Sequence, residues 1–153
     1  MTSPTIVPTR FQNNDTDFLK VKRDTFGAVR QVSDTVTVPT ATAVGAFVGL
    51  VPFQAGARFI IGSTSVHITD IDAGTDSLVN VGIIYDDDTT HTNDVDAFSS
   101  NSTAGQAGGF IAVDETTGMT LETTGNGWLA LENQANITES EGTVTFTVGV
   151  VYD

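Results

Sequence analysis

The chain has 153 residues, no cysteine and a net charge of −13. That length fits one domain with a modest appendage and is enough to bury one real core. The missing cysteines exclude disulfides, thiolate catalysis and cysteine-held zinc or iron, and the acidic balance argues against nucleic acid and anionic membranes as partners.

Hydrophobic residues make up 39% of the chain, so its composition is not that of a disordered protein. The longest apolar candidate, residues 41–53, is broken by Gly45, Gly49 and Pro52. It falls well short of the roughly 18–20 residues of a membrane span. The start, Met-Thr-Ser-Pro, carries no charged-then-apolar leader pattern.

The charge is unevenly placed. Residues 1–34 hold five basic groups against four acidic ones, whereas residues 35–153 hold Arg58 against fifteen acidic groups. The first segment also carries Pro4, Pro8 and a polar cluster at 13–17, with irregularly spaced apolar residues. It reads as an extended arm, 1–34, ahead of a sandwich domain, 35–153. Such arms order by lying on a partner surface. The candidate contacts are Arg10, Phe11, Phe18, Lys20, Lys22, Arg23, Phe26 and Arg30. The competing reading is a strand pair belonging to the sandwich itself.

From Thr35 the pattern is strand after strand. Residues 35–38 alternate Thr and Val until Pro39. Residues 43–51 are small and apolar on both faces, which suits a buried strand but does not separate it from a short helix, with Pro52 and Gly56 as punctuation. Residues 58–61 and 65–71 read as two short strands, the second with Val66 and Ile68 inward and His67 outward. Residues 78–85 place Val79, Val81, Ile83 and Tyr85 on one face.

Residues 86–109 are rich in Asp, Thr, Ser, Asn and Gly. Asn93 is a helix-capping residue type, with Asp94 and Asp96 behind it and Val95 and Phe98 on one side. The spacing predicts about one to three helical turns there. Strands resume at 110–115, 119–123 and 128–132, with turns at Thr117-Gly118 and residues 125–127. The chain closes on Gly142–Tyr152, where Val144, Phe146, Val148, Val150 and Tyr152 alternate with Thr143, Thr145, Thr147 and Gly149. Its uncharged threonine face, in so acidic a chain, predicts a central strand. About eight strands spaced by turn signals specify an all-β, jelly-roll-like antiparallel sandwich.

Chemistry is weakly signalled. His67 and His91 lack a partner in any catalytic or zinc-binding spacing and read as surface or loop histidines. Asp86, Asp88, Asp94 and Asp96 are weak candidates for calcium, but the glutamate-terminated, glycine-centred calcium loop is absent, so a solvated acidic loop is the better reading. Asp70, Asp72 and Asp76 form a second acidic turn. Trp128 reads as a core or subunit-interface residue. No nucleophile elbow or phosphate loop is present, so no catalytic residue and no cofactor are assigned.

Several segments together resemble the small jelly-roll head proteins of tailed bacteriophages that decorate or cement the capsid. They are residues 45–53 (GAFVGLVPF), Tyr85-Asp86-Asp87-Asp88, Asp96-Ala97-Phe98, Gly127-Trp128-Leu129-Ala130 and Val150-Val151-Tyr152. The similarity spans residues 43–153. It implies a non-enzymatic protein on the exterior of the virion, with the major capsid protein as partner and a homotrimer as its assembly. The expected functions are therefore capsid decoration first and a carbohydrate- or host-receptor-binding module, a head fibre or knob, second. A carbohydrate-cleaving enzyme is the weakest of the three, because fifteen acids in the body guarantee chance carboxylate pairs.

Overall fold

A computed structural model describes residues 4–8, 29–113, 121–136 and 138–152. Eight strands are present among them: β1 (Arg30–Val38), β2 (Phe47–Phe53), β3 (Ala57–Ile68), β4 (Leu78–Tyr85), β5 (Asp94–Ser102), β6 (Gly109–Ile111), β7 (Gly127–Ala135) and β8 (Gly142–Tyr152). They form two four-stranded sheets, β1-β8-β3-β6 and β2-β7-β4-β5, with every strand pair antiparallel.

The order has a simple logic. β4 pairs with β5, β3 with β6, β2 with β7 and β1 with β8. Each strand thus lies beside the one equally far from the other end of the series. A long eight-strand hairpin, rolled so that alternate pairs fall in opposite sheets, gives this arrangement, which is the jelly roll. The expected all-β sandwich is the observed fold.

β8 shows why the chain folds this way. Val144, Phe146, Val148 and Val150 are buried, and the residues between them face outward. β8 sits between β1 and β3, as its neutral face predicts. Its inner column meets Val32, Val36 and Val38 of β1 and Val66 and Ile68 of β3. The second sheet supplies Val48, Leu50, Val79, Val81, Ile83, Leu129 and Leu131. At one end the layers are joined by edge-to-face rings, Tyr85 to Phe53 at 5.9 Å, Phe53 to Phe59 at 5.8 Å and Phe59 to Phe98 at 5.4 Å. Such pairs add to burial, each worth about 0.5–1.5 kcal/mol.

Four expectations change. Residues 93–98 are not helical. The Asn93 side-chain oxygen accepts from the Tyr85 backbone N–H at 2.7 Å instead of capping its own turn, and Asp94 onward runs as β5. Pro52 does not end β2. It lies within the strand, and β2 is a sheet edge, where a missing N–H costs little. Residues 58–61 and 65–68 are one strand, β3, with an irregularity between Ile60 and Ser65. β1 begins at Arg30, inside the segment read above as arm. The expected Thr117-Gly118 turn lies outside the described residues.

Candidate docking face and polar hollow

The outward positions of the first sheet make one surface. The register sets Thr35 beside Thr145, Thr145 beside His67, and His67 beside Phe110. At about 4.8 Å per strand this row is about 14 Å long. Ser33, Thr147 and Ser65 form the row on one side of it. Thr37 and Thr143 begin the row on the other. Hydroxyls pair across the strands, Ser33 Oγ with Thr147 Oγ1 at 2.8 Å and Thr35 Oγ1 with Thr145 Oγ1 at 3.0 Å. The outward positions of these strands carry no acidic residue. Arg58, at the end of the face, pairs with Glu122 at 2.6 Å. In a chain of charge −13 this is a neutral face.

Phe110 closes the row. It is 74% exposed, the most exposed large apolar side chain among the described residues. The His67 ring packs edge-on against it with centroids 5.0 Å apart. Beside it lies an open hollow of about 540 Å³ between the end of β5 and the start of β6. Ser100, Asn101, Ser102 and Thr103 line one wall and the Gly108–Gly109 backbone another. The sequence reading missed Phe110. The available signal was Phe110-Ile111, two apolar neighbours in a strand, one of which must point outward.

Of the candidate arm contacts, Arg30 lies in β1, paired in register with Val150. Arg10, Phe11, Phe18, Lys20, Lys22, Arg23 and Phe26 lie outside the described residues. Residues 4–8 rest on the body. Ile6 bridges Val48 in parallel, and the Gly49 N–H donates to the Ile6 carbonyl at 2.7 Å. Gly49 is required there, because a Cβ would run into Pro4 and Trp128, each 2.7 Å away. The segment therefore covers part of the open edge of β2, which unpaired would invite another strand. A groove of about 530 Å³ separates it from the end of β1.

The acidic turns are built differently from each other. The Asp72 carboxylate accepts from the N–H groups of Gly74, Asp76 and Ser77 at 2.7–3.0 Å, and these bonds hold its pKa below the usual carboxylate range. Asp87 accepts from Thr89 and Thr90, which lower its pKa to about 2. Burial raises Asp86. Burial and then the charge of Asp96 raise Asp94. The carboxylates of Asp72 and Asp87 are thus engaged by their own turns. Asp94 and Asp96 lie together, but among the described residues no three His, Asp or Glu side chains gather as a metal site. His91 bonds Thr124 Oγ1 at 3.0 Å and packs on Tyr85. Trp128 is half-buried on the outer side of the second sheet.

No family model matches the sequence, and no curated protein matches it. Among solved structures, a chain of the capsid of Ralstonia phage GP4 shares the fold with a TM-score of 0.67 and 20% identity, over 86% of this chain and 89% of that one. A chain of the Cyanophage Pam1 capsid asymmetric unit does so with a TM-score of 0.61 and 20% identity, over 84% and 87%. The likeness covers nearly the whole sandwich and is one of fold.

Proposed function

We propose that the chain is a non-enzymatic structural protein of a bacteriophage virion, one that decorates or cements the capsid from outside. The carrying observation is the fold shared with chains of two phage capsids at near-complete coverage. The chemistry of the surface supports it. A cement needs a rigid body and an attachment surface, and the sandwich with its neutral hydroxyl face supplies both. In this reading the near-neutral arm contacts the shell and the acidic sandwich faces solvent, where like charge keeps particles apart. Self-association, expected as a trimer, uses surface that is not acidic, because like charges across a contact cost several kcal/mol.

Adding purified chain to shells of the major capsid protein and sedimenting them tests this directly. Saturable binding at a fixed ratio is expected, and an unbound chain overturns the proposal. Reversing Lys20, Lys22 and Arg23 to Glu is expected to weaken binding at least about tenfold. Undiminished binding removes the arm from the contact and leaves the sandwich as the docking element. β1 begins at Arg30, so the arm is better altered by substitution than by deletion through residue 34.

A further inference from the structure

We propose that the hollow beside Phe110 binds a neutral oligosaccharide. A pyranose ring has C–H groups on one face and hydroxyls around its rim. It is held by an aromatic ring under the first and by fixed hydroxyl and amide groups around the second. The hollow has both parts. Phe110 stands 74% exposed on its rim. His67 braces that ring edge-on without covering it. Ser100, Asn101, Ser102 and Thr103 supply the polar wall.

The wall is built rather than incidental. Asn101 adopts a positive φ of 53°, which turns the chain at the end of β5. Its backbone N–H donates to Asn80 Oδ1 at 2.7 Å. Asn80 is buried, 6% exposed, and its own Nδ2 donates to Glu132 Oε2 at 2.8 Å. A polar relay from β7 through β4 thus fixes the Asn101 turn, which reduces the ordering cost of binding. The Asn101 amide donates one bond, to Ser100 Oγ at 3.0 Å, and its two donors and one acceptor leave capacity for a ligand.

Charge selects the class of ligand. No lining residue is charged, in a chain of −13. A phosphate, sulfate or carboxylate has no cation to meet, and a cationic ligand has no carboxylate in the wall. An apolar peptide has one ring and a wall of hydroxyls. A second copy of this chain is less well matched, because one ring above a polar concavity is not a contiguous apolar patch. The volume of about 540 Å³ lies within the ordinary range for small-ligand sites. The proposal does not rest on capsid decoration, since it concerns the isolated chain.

Calorimetric titration of the full chain against neutral oligosaccharides ending in glucose, galactose or N-acetylglucosamine tests it, with sedimentation velocity run alongside. At least one is expected to bind. Phe110→Ala and Asn101→Gly are each expected to weaken it about tenfold or more, because loss of stacking or of one fixed amide is worth about that much. Glycine accepts the positive φ of residue 101, and Phe110 is exposed, so neither change threatens the fold. Binding by no member of the panel overturns the proposal, as does binding indifferent to both substitutions. A changed sedimentation coefficient in Phe110→Ala also overturns it, since the ring then belongs to a contact between copies.

Discussion

The two sheets share one core but finish their outer faces in opposite ways. In β1-β8-β3-β6 the outer columns of β1 and β8 are mostly exposed or half-exposed hydroxyls, and the pairing of β1 with β8 runs without a break from Arg30 to Val38. In β2-β7-β4-β5 the outer positions Asn80, Gly82, Ile84 and Ala130 are buried, and every strand pairing contains a register shift. The difference lies in what approaches from outside. The β5 backbone comes against Gly82, where a Cβ would collide with Asp94 and Val95. Pro4 and Val7 come against Gly49. Among the described residues, the first sheet is thus open over its threonine rows, with Ser63 lying over Gly149, and the second is covered by its own chain.

The inner columns should be equally costly to disturb in either sheet, and Phe146 in the open sheet sets the scale. Phe146→Ala empties a fully buried site at the centre of β8. It is expected to cost about 3–5 kcal/mol in denaturant unfolding. A loss under about 1 kcal/mol would mean that the core does not close around β8.

The outer columns should differ, and Gly82→Ala is the sharper test. The added methyl meets backbone, which cannot step aside as a flexible side chain can. A cost of about 1–3 kcal/mol is expected, with faster amide exchange in β5. A neutral result means that β5 does not lie against β4 as described.

This contrast also explains what could be read in advance. β8 and the second half of β1 alternate cleanly because one face is wet, so period two is written in their side chains, whereas Arg30 and Asp34 interrupt the inner column of β1 and hide its first half. β5 does not alternate. Between the pairs Ile83–Asp94 and Val81–Ser99 it takes five steps while β4 takes two. Those extra residues erase the period, and the polar run with Asn93 then resembles a helix start. Pro52 misleads for a related reason, since edge position is a property of the sheet and not of the local sequence. The neutral threonine face was legible from β8 alone. The hollow was not, because it depends on the Asn80–Asn101 bond across two strands and on which of Phe110 and Ile111 turns outward.

The ends of the sandwich extend the comparison to pH. Asp72 has a lowered folded pKa, so its contribution is present above its unfolded pKa and is lost as pH falls through the folded value. Asp72→Asn is expected to destabilise the chain at pH 7, with the gap to the parent closing below about pH 4. Asp94 is raised, so the sign reverses. Folding favours its protonated form, and that contribution is lost as pH rises through its folded pKa. Asp94→Asn is expected to be neutral or stabilising at pH 7, because it removes a desolvated charge and its repulsion with Asp96. Thermal melts of both variants between pH 3 and pH 7 check the two signs, and equal signs would contradict the different settings of the two carboxylates.

The smallest effect is expected at Thr145, and its smallness is informative. Thr145→Val removes the hydroxyl contact with Thr35, a cross-strand interaction of about 0.2–1 kcal/mol. It also substitutes a residue with a strong preference for the pleated surface. The two should nearly cancel, giving a change within about 0.5 kcal/mol if the face is in water. Burial in a contact between copies changes the arithmetic. The hydroxyl is then desolvated and its Thr35 partner is left unpaired, at a cost of about 1–3 kcal/mol. Measured at low and at high protein concentration, the same substitution thus reports whether the open face stays open when the chain associates. A null effect at both concentrations places the contact between copies elsewhere on the surface. A cost that appears only at high concentration assigns the threonine rows to it.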